Sequence, residues 1–199
     1  MAEITITEEQ LAEIVASAVE AAVRTAVETA VAAALEVSGE SPQDTEVFDF
    51  GNGPVPAHQH PNGGGWVADT AEVADSAFVG ALARVSDDAW VCGKAQVSGN
   101  ARVSGNANVS AKAQVYGNAR VSGYAWVSDY ARVCDNADVS DRALVYGDAK
   151  VYGDSKVFGL SQVCGAAQVC DNARVYGRAE VGGGAKVRND EALRRGIHK

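Results

Sequence analysis

Valine returns every sixth residue without a miss from Val67 to Val187, 21 valines in all. Neither a helical period of 3.6 nor a strand period of 2 produces that spacing, so the chain is a repeat before it is anything else. Two positions before each valine stands Ala, with Ser155 and Ser161 as near isosteres and Gly65 as the departure at the entry. Two positions after it stands Gly or Asp, with Ala81, Ala111 and, after the last valine, Asn189 as variants, and Asn or Asp often follows. In an extended A-x-V segment the two apolar side chains share a face. Gly, Asn and Asp then suit a sharp corner, because they tolerate positive φ. A strand this short cannot bury its inner face alone, so successive hexads stack into a solenoid with a Val/Ala interior.

This pattern resembles the hexapeptide-repeat left-handed parallel β-helix, in which three hexads form one 18-residue triangular coil. The resemblance covers about residues 66–188. The family hexad is usually [LIV]-[GAED]-x-x-[STAV]-x; this chain places Ser, Cys, Tyr or Phe directly after the valine and moves Gly/Asp one step later. Runs such as Gly117-Asn118-Ala119-Arg120-Val121-Ser122 are most similar to YdcK-like proteins and to proteins encoded by tailed bacteriophages. The left hand is implied by the resemblance; the usual crossover rule predicts the opposite one. The expected fold is an all-β solenoid of about seven coils, roughly 32 Å long at ~4.8 Å per stacked strand. All prolines precede the repeats, as a ladder using every N–H requires.

Before the repeats the pattern changes. Over residues 7–37, Val15, Val19, Val23, Val27, Val31 and Leu35 recur every fourth residue among many alanines. Thr7-Glu8-Glu9-Gln10 fits a capping box and Gly39 a stop, which predicts one long helix. A four-residue step drifts around the helix, and the polar stripe of Glu13, Glu20, Arg24 and Glu28 is thin. Such a helix needs partners on more than one side. We expect it to self-associate in an Ala-rich bundle or coiled coil, as a homotrimer by analogy with the family's three-fold habit. A membrane span is disfavoured by Glu20, Arg24 and Glu28, and no signal peptide is evident. The expected domains are an oligomerising or anchoring helix at 1–38, a Pro/Gly-rich neck at 39–65, the β-helix at 66–188, and a short capping helix with tail at 189–199. The last of these would lay Leu193 over the open end of the core.

Charge changes the picture little. Residues 1–50 hold 11 acidic residues against Arg24 alone, a net of −10, while residues 51–199 carry a net of +1. The formal −9 therefore belongs to the N-terminal segment, and nucleic acid is not an expected partner.

Candidate chemistry is sparse. Hexapeptide acyltransferases, which the rod resembles, use a catalytic His and often a loop extruded between coils. Here His58, His60 and His198 lie outside the repeats, and the unbroken register leaves no loop. The resemblance thus implies a non-enzyme without catalytic or cofactor-binding residues. An acyltransferase-like enzyme is the remote alternative. His58-Gln59-His60 is the one metal-like constellation. On an extended strand both imidazoles share a face, and three chains would bring six nitrogens to an axis, enough for iron, nickel or zinc. The plainer reading is two histidines on a wet neck. Cys92, Cys134, Cys164 and Cys170 all follow valines; Cys134 and Cys170 share a face two coils, about 9.6 Å, apart, beyond disulfide reach. Free thiols and a reducing site of assembly are expected.

Folded at 18 residues, the sequence yields three columns. One is basic: Arg84, Arg102, Arg120, Asp138, Lys156, Arg174. Another holds Trp90, Asn108, Trp126, Leu144 and Gln162, a candidate subunit interface or glycan-stacking surface. The third runs Phe78, Gln96, Gln114, Arg132, Lys150, Gln168, Lys186. Asn100, Asn118, Asn136, Asp154 and Asn172 form a corner column, expected to be a structural ladder. The functional expectation is a homotrimeric structural protein of a phage virion: a fibre, spike or decoration assembled in the host cytoplasm with capsid or tail proteins. A glycan-binding adhesion module using Trp90 and Trp126 is the rival, and the bacterial cytoplasm is the alternative location.

Overall fold

The structure, a computed structural model, describes residues 46–198. The expected helix over 7–37 and its bundle lie outside the described residues. Within them the chain is all β. A hairpin, β1 (Val47–Asp49) and β2 (Pro54–Gln59), leads antiparallel into β3 (Trp66–Ala68). From there, two-residue strands β4 (Glu72–Val73) to β20 (Gln168–Val169) recur every six residues. The longer β21 (Arg174–Val181), then β22 (Lys186–Val187) and β23 (Ala192–His198), close the series.

Each short strand pairs in parallel with the strand 18 residues away, valine opposite valine, as in Val85↔Val103 and Val103↔Val121. The ladder is continuous because both amides flanking each valine are used. Arg84 N–H donates to the Ala101 carbonyl at 3.0 Å and Ser86 N–H to the Val103 carbonyl at 2.9 Å. The result is a solenoid of about seven turns with three columns of strands. Every repeat valine from Val79 to Val187 is fully buried, and so are nearly all the alanines two residues earlier. Ser155 and Ser161 take alanine positions at no loss, since each hydroxyl donates to a backbone carbonyl, Tyr152 O and Phe158 O, at 2.8 Å.

The corners show why Gly and Asp alternate there. Every residue two after a valine from Asp87 to Asn189 has positive φ. A Cβ on Gly117 would meet the Asp135 amide nitrogen at 2.9 Å in the next coil. Where Asp occupies the corner it supplies something glycine cannot: the Asp135 carboxylate accepts the Gly153 N–H one coil further on at 3.0 Å. Asp87, Asp129, Asp141 and Asp171 do the same for Gly105, Gly147, Gly159 and Asn189. An amide that the ladder leaves over is thereby satisfied. The Asn column is a ladder as expected, Asn100 to Asn118 to Asn136 to Asp154, with steps of 3.2, 3.0 and 2.9 Å.

Two expected segments differ. The capping helix at 189–199 is a strand, β23, laid parallel to β21, with Leu193 opposite Val175 and packed on the core. The reason is that the hexad frame does not end at Val187. Asn189 turns the corner with φ 60°, and Leu193 occupies the next aliphatic position. A helix this short is marginal, whereas the free edge of β21 offers backbone partners on both sides of a register shift between Val175 and Arg178. The Pro/Gly segment before the rod is also more than a neck. From residue 46 to 65 it forms the hairpin and a tight loop that cover the first coil, with Asn62 Nδ2 donating to Ala77 O at 2.8 Å and Gly65 N–H to Val79 O at 2.9 Å.

Candidate interaction surfaces

With its interior filled by Val and Ala, the solenoid presents chemistry only on its outer faces. Register pairing brings Arg84, Arg102, Arg120, Asp138, Lys156 and Arg174 into one column, with Trp66 at its start. A second column joins Trp90, Asn108, Trp126, Leu144 and Gln162, and the third runs from Phe78 to Lys186. All three were readable at a spacing of 18.

The tryptophan column is open: Trp90 is 47% and Trp126 50% exposed. Asn108 sits between them in register, and its Oδ1 is buried without a partner. Trp126 Nε1–H donates to Ser110 Oγ at 3.3 Å, which anchors the ring edge. Leu144 is only half-buried. Tyr124 and Tyr130, which the column reading passed over, are more exposed still, at 61% and 55%. Each has a cation close to its ring: the Arg142 guanidinium 5.6 Å from Tyr124 and the Lys112 ammonium 5.0 Å from Tyr130.

On the basic column, Arg84 lies 5.0 Å over the ring of Phe48, which itself stacks on Trp66 at 4.6 Å. Arg102, Arg120 and Arg174 reach solvent. Among the described residues the single ion pair is His58 with Asp69, so Asp138, though in register with Arg120 and Lys156, makes no ion pair with either.

The two neck histidines are engaged differently. His58 is exposed and its Nδ1 lies 2.8 Å from Asp69 Oδ1. His60 follows the last residue of β2 and turns into the loop. It is 2% exposed, its Nδ1 sits 3.2 Å from Asn62 O, and its buried Nε2 has no partner. Within one chain and among the described residues, no three His, Cys, Asp or Glu side chains converge as a metal cage. A site there would have to be completed by other copies.

The cysteines are free thiols, as their spacing requires. They have partners the sequence reading missed, because Tyr and Cys alternate at the same outward position: Tyr116, Cys134, Tyr152 and Cys170 follow one another at 18-residue steps. The neighbouring Cys170 thiol, with burial, pushes the Tyr152 pKa up to about 12, while the hydroxyl donates to Gln168 Oε1 at 3.3 Å. The neighbouring Cys134 and Cys164 thiols likewise raise Tyr116 and Tyr146, again with burial. Burial raises Cys134 itself.

The family described as YdcK Beta solenoid repeat matches residues 95–110, 113–129 and 167–183. This is a repeat β-helix protein. The matched stretches all fall inside the uninterrupted part of the β-helix, where corner, ladder and core residues are most regular. Neither the curated proteins nor the solved structures contain a match to the chain.

Proposed function

We propose that this β-helix protein is a non-enzymatic building element, a homotrimeric fibre, spike or decoration protein of a bacteriophage particle. The observation that carries the non-enzymatic reading is the rod itself: from Val79 to Val187 the interior is closed by fully buried valines. A register without interruption leaves no extruded loop to shape a substrate pocket. The partner-seeking helix read over residues 7–37 supports self-association, and the likeness of the repeats to phage proteins supports the virion. Free thiols fit assembly in a reducing cytoplasm. Mass measurement of the full chain in solution tests the assembly: three times the chain mass is expected, and a monomer at micromolar concentration overturns it. Loss of the trimer on deleting residues 1–38 would locate the oligomerising element.

Exposure of Trp90 and Trp126 in one column favours a second reading, a glycan-binding adhesion module. A glycan array separates the two: binding that disappears in Trp126→Ala supports adhesion, and no binding leaves the structural role alone. If His58 and His60 meet those of two other copies, elemental analysis of the purified trimer will find iron, nickel or zinc, and His58→Ala will remove it.

A further inference from the structure

The basic column is more than a solvated face. Arg84, Arg102 and Arg120 stand opposite one another on adjacent coils. Two residues on from each, and therefore on the same face, are Ser86, Ser104 and Ser122. The hairpin raises Phe50 and Asn52 along one side, and the whole encloses a shallow groove of about 290 Å³ that also touches Asp87 and Asp138. Like charges placed directly opposite on neighbouring strands destabilise a sheet, and here three guanidinium groups repeat at ~4.8 Å without a carboxylate in ion-pair range. The Asp87 carboxylate accepts the Gly105 N–H at 2.8 Å and keeps its charge at the groove's edge, without an ion pair to these arginines. Asp138 lies between Arg120 and Lys156 in register and forms an ion pair with neither. With three arginines against the carboxylates of Asp87 and Asp138, the groove is net positive along its length, which suits an anion of linear form from outside the chain.

We propose that this groove binds a linear acidic polysaccharide, a polyuronate chain with one carboxylate per sugar, lying along the rod axis over Arg84, Arg102 and Arg120. Three features select that chemistry. The guanidinium fork matches a carboxylate in a bidentate pair, and its weak hydration suits a partly covered site. The serine row offers hydroxyls, able to donate and accept, at the same interval as the arginines, which suits sugar hydroxyls. Successive sugars of an extended polyuronate turn their carboxylates to alternate sides, so carboxylates facing the groove recur about every second coil, the spacing of Arg84 and Arg120, and the serine row lies along the sugar hydroxyls between them. Phe50 gives the rim one apolar surface for a sugar ring. Single-stranded nucleic acid, the other linear polyanion, is bound where aromatic rings alternate with the basic groups. In this groove Phe50 is the one aromatic lining residue.

Affinity electrophoresis and calorimetry of the full-length protein at low salt test the site, with polygalacturonate as the probe, dextran as the neutral control and polythymidylate as the competing polyanion. The expected result is binding to polygalacturonate alone. It should weaken about tenfold or more in the double variant Arg102→Gln/Arg120→Gln. Arg132→Gln/Lys150→Gln removes the same charge from another face and should change affinity by less than about threefold. Arg102 and Arg120 are exposed, so unchanged melting of the variants is expected and should be verified alongside. No binding, equal loss in both double variants, loss in Trp126→Ala instead, or preference for polythymidylate would each overturn the proposal. The trimer need not exist for the groove to bind, so failure of the assembly reading and failure of this one are separate results.

Discussion

The hairpin over residues 47–59 and the rod from Val67 to Val187 are both built of strands, yet they acquire their order in opposite ways. In the rod each coil repeats the last: the same valine, corner and pair of amides meet their equivalents 18 residues away. Only details vary from coil to coil, such as the Asp corners and the hydroxyl bonds of Ser155 and Ser161. In the hairpin nearly every contact is unique. Phe48 stacks on Trp66 at 4.6 Å, Phe50 meets Phe48 edge-on at 4.9 Å, and Asp49 Oδ1 accepts the N–H groups of Gly51 and Gly53. Ala57 is its one fully covered apolar residue, against an unbroken buried column in the rod. Periodic burial makes the rod cooperative along its length, and sparse burial leaves the hairpin dependent on the coil it covers.

The largest effect should come from placing a charge in the rod interior. Val127 is fully buried, so Val127→Asp should cost more than about 4 kcal/mol and abolish cooperative melting by circular dichroism. Val55→Asp in the hairpin, where the side chain is 39% exposed, should shift the melting temperature little. If both behave alike, the contrast between the regions is wrong.

Trp66→Ala comes next. Removing the ring under Phe48 should cost about 2–3 kcal/mol, and hydrogen exchange should show it locally: amides of residues 46–68 lose protection while those near Val127 keep theirs. Equal loss along the rod would mean that hairpin and rod open as one unit.

A corner substitution should be milder. Asp135→Ala deletes the acceptor for the Gly153 amide and keeps a Cβ at φ 61°, for a cost of about 1 kcal/mol in denaturant unfolding. Asp135→Gly also loses the acceptor but relieves the left-handed strain, and should cost less. The order Ala worse than Gly is the discriminating result.

Smallest is a pH effect. The Tyr152 phenol is held un-ionised to about 12 by the neighbouring Cys170 thiol and by burial, whereas in the unfolded chain it ionises near 10.0. Because the folded pKa is raised, this contribution to stability is fully present below pH 10 and is lost as pH rises through about 12. Ultraviolet titration should show delayed ionisation in the native protein, and Cys170→Ala should bring the phenol back toward its ordinary range.

Legibility divides along the same line. The valine register, the alanine layer, the three columns, the Asn ladder and the impossibility of a Cys134–Cys170 disulfide could all be read in the sequence, because each rests on one period and the pleat of a strand. The end of the repeat was legible too, through Leu193 six residues after Val187, but the cap-like Asn189-Asp190-Glu191 drew attention to a helix instead. Gly and Asp were recognised as corner residues, yet the carboxylate's bond to the next coil was not, since that partner is 18 residues away and is an amide common to every residue type. His58 and His60 look equivalent in a one-residue alternation; the loop from Pro61 to Gly65 makes one exposed and the other buried.

By itself, then, the sequence determined a parallel solenoid of known register and what each outer column displays, because a repeat makes local spacing and tertiary neighbour the same thing. Only the tertiary structure decided how the first coil is covered, where His60 goes, which edge takes the last strand, and that the hairpin walls a groove of unpaired arginines. Those features depend on contacts between segments that share no period, and no spacing rule reaches across them.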